Sequence, residues 1–143
     1  MRSITLLAVL YLCVSTQVLM SQQIETDYLN ALSLARSQQK GLIYVFVDKE
    51  LEAKATQGFK TNFLESNAFR SLSMEYIVLE VNCSPNTDSE SDDALYCKRL
   101  TSVYNKYNKF PAVLATNNKL QPKGALQTDF SKEALRTYLE SLK

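Results

Sequence analysis

The stretch Leu42-Ile43-Tyr44-Val45-Phe46-Val47 constrains the fold more than any other part of the chain. It is an apolar run rich in β-branched and aromatic residues, preceded by Gly41 and followed by Asp48-Lys49-Glu50, and such a run suits a strand covered on both faces in the middle of a parallel sheet. In open α/β sheets the carboxyl edge of a central strand is where ligands and chemistry are placed. That edge reads Asp48-Lys49-Glu50-Leu51-Glu52-Ala53-Lys54-Ala55-Thr56, with no cysteine, histidine or glycine-rich phosphate loop.

Helical periodicity precedes and follows the run. Ile24, Tyr28, Ala31, Leu32 and Ala35 recur at three and four, predicting a helix over 24–39 that Gly41 stops. A second helix is predicted from about Ala53 to Leu72, burying Phe59, Phe63, Phe69 and Leu72, with Gly58 as a bend or restart. The strand Tyr76-Ile77-Val78-Leu79-Glu80-Val81 ends at Asn82-Cys83-Ser84-Pro85, and a polar loop follows whose last acids cap the next helix. That helix, about Asp93 to Tyr107, is expected to bury Tyr96, Leu100, Val103 and Tyr107. A strand directly preceded by Pro111 in Lys109-Phe110-Pro111-Ala112-Val113-Leu114-Ala115, turn chemistry at Asn117-Asn118-Lys119 and a short strand around Gly124 to Gln127 make a hairpin. A closing amphipathic helix is opened by Ser131 and carries Phe130, Ala134, Leu135, Tyr138 and Leu142.

Of the 143 residues, 45% are apolar and 22% charged, enough for one domain with one core. Arg2 and the apolar segment from Ile4 to Val14 read as a secretory signal peptide over 1–21, leaving a domain over 22–143. An uncleaved anchor is the alternative reading of the same segment. The expected compartment is therefore secreted, periplasmic or a secretory-pathway lumen. Without Arg2 fifteen basic residues face fifteen acidic ones, so clustered positive charge for nucleic acid is not on offer. The chain has no histidine, which excludes Ser-His-Asp and Cys-His catalysis and removes the commonest metal ligand. Asp88, Glu90 and Asp92 alternate as in a calcium loop, but Asp93 and Arg99 stand where the loop needs glycine and glutamate. Neither metal nor cofactor is expected.

Past the leader two cysteines remain, Cys83 and Cys97. In an exported chain an even pair is most simply a disulfide, and closing a loop of about fifteen residues is worth about 3 kcal/mol in the chain-entropy model. The alternative is a pair that cycles between dithiol and disulfide.

The predicted order, α-β-α-β-α-β-β-α, joins a parallel half to an antiparallel hairpin half. Ala31-Leu32-Ser33-Leu34-Ala35 with Lys40, Val81-Asn82, and Tyr107-Asn108-Lys109-Phe110-Pro111-Ala112-Val113 lie in order along it. In these features the chain resembles the exported thioredoxin-like proteins. The resemblance implies a three-layer fold with a central mixed sheet of about four strands flanked by helices. It also implies that Pro111 is cis and that the backbone at Phe110 pairs with an extended peptide. One departure is large: the family's Cys-x-x-Cys position falls on Leu51-Glu52-Ala53-Lys54-Ala55, and the strand lacks the buried acid some members use.

The expectation is thus a redox-inactive, monomeric domain that binds a polypeptide along Phe110, Pro111, Asp48 and Glu52. An atypical thiol-disulfide oxidoreductase using Cys83 and Cys97 is the alternative. Acid-base use of Asp48, Glu50 and Glu52 is a third reading, against which a charged run after a strand is ordinarily a solvated edge.

Overall fold

The computed structural model describes residues 24–143; the expected leader and its cleavage point lie outside the described residues. Five strands form one sheet in the order β1-β3-β2-β4-β5, one strand more than expected. At its centre β2 (Gly41–Val47) is buried through Phe46, as a run without charged side chains allows. It pairs in parallel with β3 (Tyr76–Asn82) and antiparallel with β4 (Ala112–Thr116). The edges are the two-residue β1 (Ile24–Glu25), parallel to β3, and β5 (Pro122–Gln127), antiparallel to β4.

The extra strand corrects the predicted first helix. Asp27 Oδ1 accepts the Asn30 N–H at 2.6 Å, so α1 runs only over Tyr28–Gln38, and the residues before the cap are free to pair with β3. Glu25, buried there, accepts from Asn30 Nδ2 at 2.6 Å. Nor does Gly41 stop the helix. Gln39 takes the left-handed conformation (φ 54°) and closes α1 with a bond from its N–H to Arg36. Gly41 already belongs to β2, where a Cβ would lie 1.9 Å from the Thr116 carbonyl oxygen.

The predicted helix over 53–72 is two helices. α2 (Ala53–Gly58) widens into a π-helical turn (Phe59–Leu64), and the break falls at Glu65-Ser66 rather than at Gly58, which stays helical. Ser66 then opens α3 (Asn67–Glu75), its Oγ accepting the Phe69 N–H at 3.1 Å. The next helix, α4 (Asp92–Tyr104), is capped by Ser91 and not by the acids, which occupy its first turn and favour its dipole. It ends three residues early. Val103 (60% exposed) and Tyr107 (85%) therefore face outward, and Tyr104 turns inward to stack on Tyr44 at 5.1 Å. The last helix, α5 (Lys132–Ser141), starts at the predicted Ser131 cap.

Alternation along β2 splits the core between the two sheet faces. Ile43 and Val45 meet Phe59, Phe63, Phe69 and α5 on one side. Leu42, Tyr44 and Phe46 meet Ala31, Ala35 and Leu100 on the other. Helices thus cover both faces, as in any α/β sheet of this kind.

Two buried tyrosines tie stability to alkaline pH. Burial pushes the Tyr138 hydroxyl, which accepts the Ala115 N–H at 3.0 Å, up to about 12, with that bond acting in the opposite sense. Burial, then the neighbouring Tyr104, also raises Tyr44. A phenol raised by folding stabilises the fold fully below the unfolded value near 10, and the contribution is lost as pH rises through the folded value. Denaturation curves between pH 9 and pH 12 should show stability falling above about pH 10, with Tyr138 accounting for about 2–3 kcal/mol by pH 12. Tyr138→Phe should start less stable at neutral pH and lose less on this climb.

Candidate edge site beside Pro111

The carboxyl ends of β2 and β3 and the start of β4 meet at one edge of the sheet. After β2 the chain turns at Asp48, whose Oδ1 accepts the Glu50 N–H at 2.9 Å. The loop is then tied to the chain leaving β3. Cys83 N–H donates to the Val47 carbonyl at 2.7 Å and Lys49 N–H to Ser84 Oγ at 2.8 Å. The Glu50 carboxylate accepts from both the backbone and the side-chain amide of Asn86, at 3.1 and 2.8 Å. Lys49 Nζ pairs with the half-buried Glu80 at 2.8 Å, an ion pair still open to solvent on the lysine side and worth little by itself.

Two clefts open beside Pro111. The first, of about 270 Å³, has an apolar floor of Val47, Phe59, Leu64 and Pro111 and a wall of Leu51 and Thr56. Asp48, Lys49 and Lys60 also line it. The second, wider cleft of about 590 Å³ takes in Phe110 and Pro111 with Ala55, Phe59, Asn62 and Phe130. Phe59 separates the two, its ring held edge-on by Phe130 at 4.9 Å. Pro111 lines both clefts, Asp48 only the first and Phe110 only the second, and the Phe110 side chain also packs with the Leu42-Tyr44-Phe46 side of the sheet. Glu52 is exposed at the N-cap of α2, makes no capping bond with its side chain and lines neither cleft.

The Phe110-Pro111 peptide bond is cis. The loop before it is held by Asn105, which is fully buried at the end of α4. Its amide accepts the Lys109 N–H at 2.9 Å and donates to the Lys109 carbonyl at 2.8 Å, as a neighbouring strand would. One residue later, the Phe110 N–H and carbonyl enter no hydrogen bond with another described residue. Phe59, Lys60 and Asn105 were not among the residues the sequence singled out for the site. Periodicity marks Phe59 as core, which it also is, and Asn105 carries no local signal because its partner is set by the turn that follows.

Cys83 and Cys97 form a disulfide, with Cα atoms 5.4 Å apart and a sequence separation of 14. Cys83 follows β3, at the same edge as Pro111, but the bond leads to α4 and packs with the Leu42-Tyr44-Phe46 side of the sheet. The clefts at Pro111 lie on the Phe59 side. With β2 between them, the ends of β3 and β4 stand roughly 10 Å apart. The disulfide and the proline thus share an edge and occupy opposite faces.

No protein-family model matches the sequence, and no curated protein does. Among solved structures the chain is similar to the DsbH oxidoreductase, with a TM-score of 0.64 at 15% identity over 84% of this chain and 83% of that one. It is also similar to a disulphide isomerase from Xylella fastidiosa Temecula1, with a TM-score of 0.55 at 11% identity over 85% of this chain and 98% of that one. The fold is thioredoxin-like.

Within that fold the N-terminus of α2 is the position at which the dipole and the free N–H groups would lower the pKa of an attacking thiol. Here the position carries Leu51 to Ala55, and the sulfurs of the described residues nearest in sequence are those of the Cys83–Cys97 bond and of Met74. Thiol exchange cannot start at this helix. The edge offers a cleft, a stretch of backbone and mixed charge beside Pro111, and the Cys83–Cys97 disulfide on the opposite face. Among the described residues no helix is long and apolar enough to cross a membrane.

Proposed function

We propose that this chain is an exported, redox-inactive thioredoxin-fold domain that binds an extended polypeptide across the edge formed by Phe110, Pro111 and the loop after β2. The observation that carries the reading is the unpaired Phe110 backbone, held in place by Asn105 next to a cleft with an apolar floor. An extended strand can add to such a backbone through main-chain hydrogen bonds and seat alternate side chains in the two flanking clefts. A single apolar side chain fits the 270 Å³ cleft, with Lys49, Lys60 and Asp48 available to its polar neighbours. Burying a Leu- or Phe-sized group there is worth about 1.5–3 kcal/mol, so binding is expected to be reversible and selective for an apolar anchor.

Thr56 lines this cleft and is half-exposed, so it can be enlarged without entering the core. Peptide-array binding should select extended sequences with one apolar anchor, and Thr56→Trp should reduce affinity at least about tenfold with unchanged thermal unfolding. Selected peptides that bind wild type and Thr56→Trp equally, or an array with no hits, would reject the reading.

A second reading takes the Cys83–Cys97 pair as the redox centre of an atypical oxidoreductase. It is favoured by the half-exposed position of both cysteines and by Cys83 following β3 at the same sheet edge. The two readings separate in an insulin-reduction assay: turnover lost in Cys83→Ser selects the enzyme, whereas no turnover by the wild-type chain selects the binding domain.

A further inference from the structure

We infer that the Cys83–Cys97 disulfide is a thiol-addressable latch: a small anionic thiol reaches it through a cleft on the α4 side, and opening it loosens the loop that walls the Pro111 cleft. Three observations on separate parts of the molecule meet here. The disulfide lines an open cleft of about 620 Å³, large enough for a tripeptide-sized thiol. That cleft is lined by Lys98 and Lys106, with the carboxylates of Asp88, Glu90, Asp92 and Asp93 outside its lining, so the two lysines are the charges an anion meets inside it. Finally, the segment the disulfide anchors is the one that holds the loop after β2. Cys83 N–H to Val47, Ser84 Oγ to Lys49 N–H and Asn86 to Glu50 are all bonds from residues within three positions of Cys83.

The chemistry is ordinary exchange. A thiolate attacks one of the two sulfurs, the S–S bond breaks, and the other cysteine departs as a thiolate. A second thiolate attacks the resulting mixed disulfide, releasing the remaining cysteine and one molecule of the oxidised small disulfide. Two small thiols thus supply the two electrons, and their two protons go to the protein thiolates. Once opened, the chain after β3 keeps its hydrogen bonds but loses the covalent tie to α4, so its local unfolding becomes easier. The Lys49 and Asn86 amides should feel this first. Only the consequence for ligand affinity rests on the polypeptide-binding reading.

The test uses the full chain, oxidised or reduced in glutathione buffers, with alkylation and mass to count free thiols and hydrogen exchange to read single amides. Reduction is expected to raise exchange at Lys49 and Asn86 at least about tenfold while amides of β2 and β4 stay protected. Asn86→Ala in the oxidised protein should raise exchange at Lys49 without touching the disulfide. Reduction by glutathione should exceed that by the cationic thiol cysteamine once both are corrected for their rates with a model disulfide, and Lys98→Glu with Lys106→Glu should erase this preference. Unchanged exchange at Lys49 on reduction overturns the latch, as does reduction that unfolds β2 together with the loop. Equal corrected rates for the two thiols overturn the entry route. None of these readouts involves a peptide, so a failed binding reading leaves them intact and a failed latch leaves the binding assay intact.

Discussion

Gly41→Ala is expected to cost at least about 3 kcal/mol and to be the most damaging of the chain's three glycine-to-alanine changes. The reason is a close approach between backbones. Gly41 opens β2 beside Thr116 at the end of β4, and a Cβ built there would stand 1.9 Å from the Thr116 carbonyl oxygen and 3.0 Å from the Tyr76 ring. A ring can shift by tenths of an ångström; a main-chain oxygen in a paired strand cannot retreat by more than an ångström without breaking its ladder. Thr116 adds to the constraint, because its buried hydroxyl bonds both the N–H and the carbonyl of Leu42, at 3.2 and 3.1 Å. Urea denaturation checks the prediction. A midpoint within experimental error of wild type would mean that β2 and β4 do not pack at this register.

Asn105→Ala should cost about 2–3 kcal/mol, from two hydrogen bonds lost at a buried site and the small void left behind. The more informative substitution is Asn105→Asp. An ionised carboxylate can accept the Lys109 N–H but faces the Lys109 carbonyl with no proton to give, and burying its charge adds to the penalty. On acidification the carboxyl takes up a proton and can donate again, so the deficit of Asn105→Asp should shrink as pH falls from 7 toward 4 while that of Asn105→Ala stays constant. Because the loop ends at Phe110 and Pro111, both variants should also weaken the proposed peptide affinity more than they lower overall stability. Parallel deficits at all pH values would show that the amide does not hold the loop in this way.

Particular elements show what kind of information each level carries. The central strand was readable because its signal is local: six apolar residues in a row have no good place other than the middle of a covered sheet. Ser131 was readable as a helix start for the same reason, since a cap bonds within its own first turn. Asp27 and Ser66 carry the same local signal under an apolar periodicity that continues across them, and Ser91 carries it beside two acids that also suit a cap. The Pro111 position and the edge it marks were legible through the resemblance, and so was the absence of a thiol between Leu51 and Ala55. The site's remaining members were not. Phe59 reads as a core residue and serves as one while also dividing the two clefts, and Asn105 bonds a loop whose path depends on the strand beyond it.

The amino-acid order alone determined the central strand, the hairpin after Pro111 and the closing helix, and that no thiol lies between Leu51 and Ala55. These follow from composition and from interactions a few residues long. Only the tertiary structure decided that Cys83 and Pro111 share an edge but not a face, that Gly41 is a contact point and not a helix stop, and that the loop after β2 hangs on the chain after β3. Each of these depends on groups that lie far apart in sequence, such as Gly41 and Thr116 or Glu50 and Asn86, and their meeting is dictated by strand order and register rather than by any local pattern.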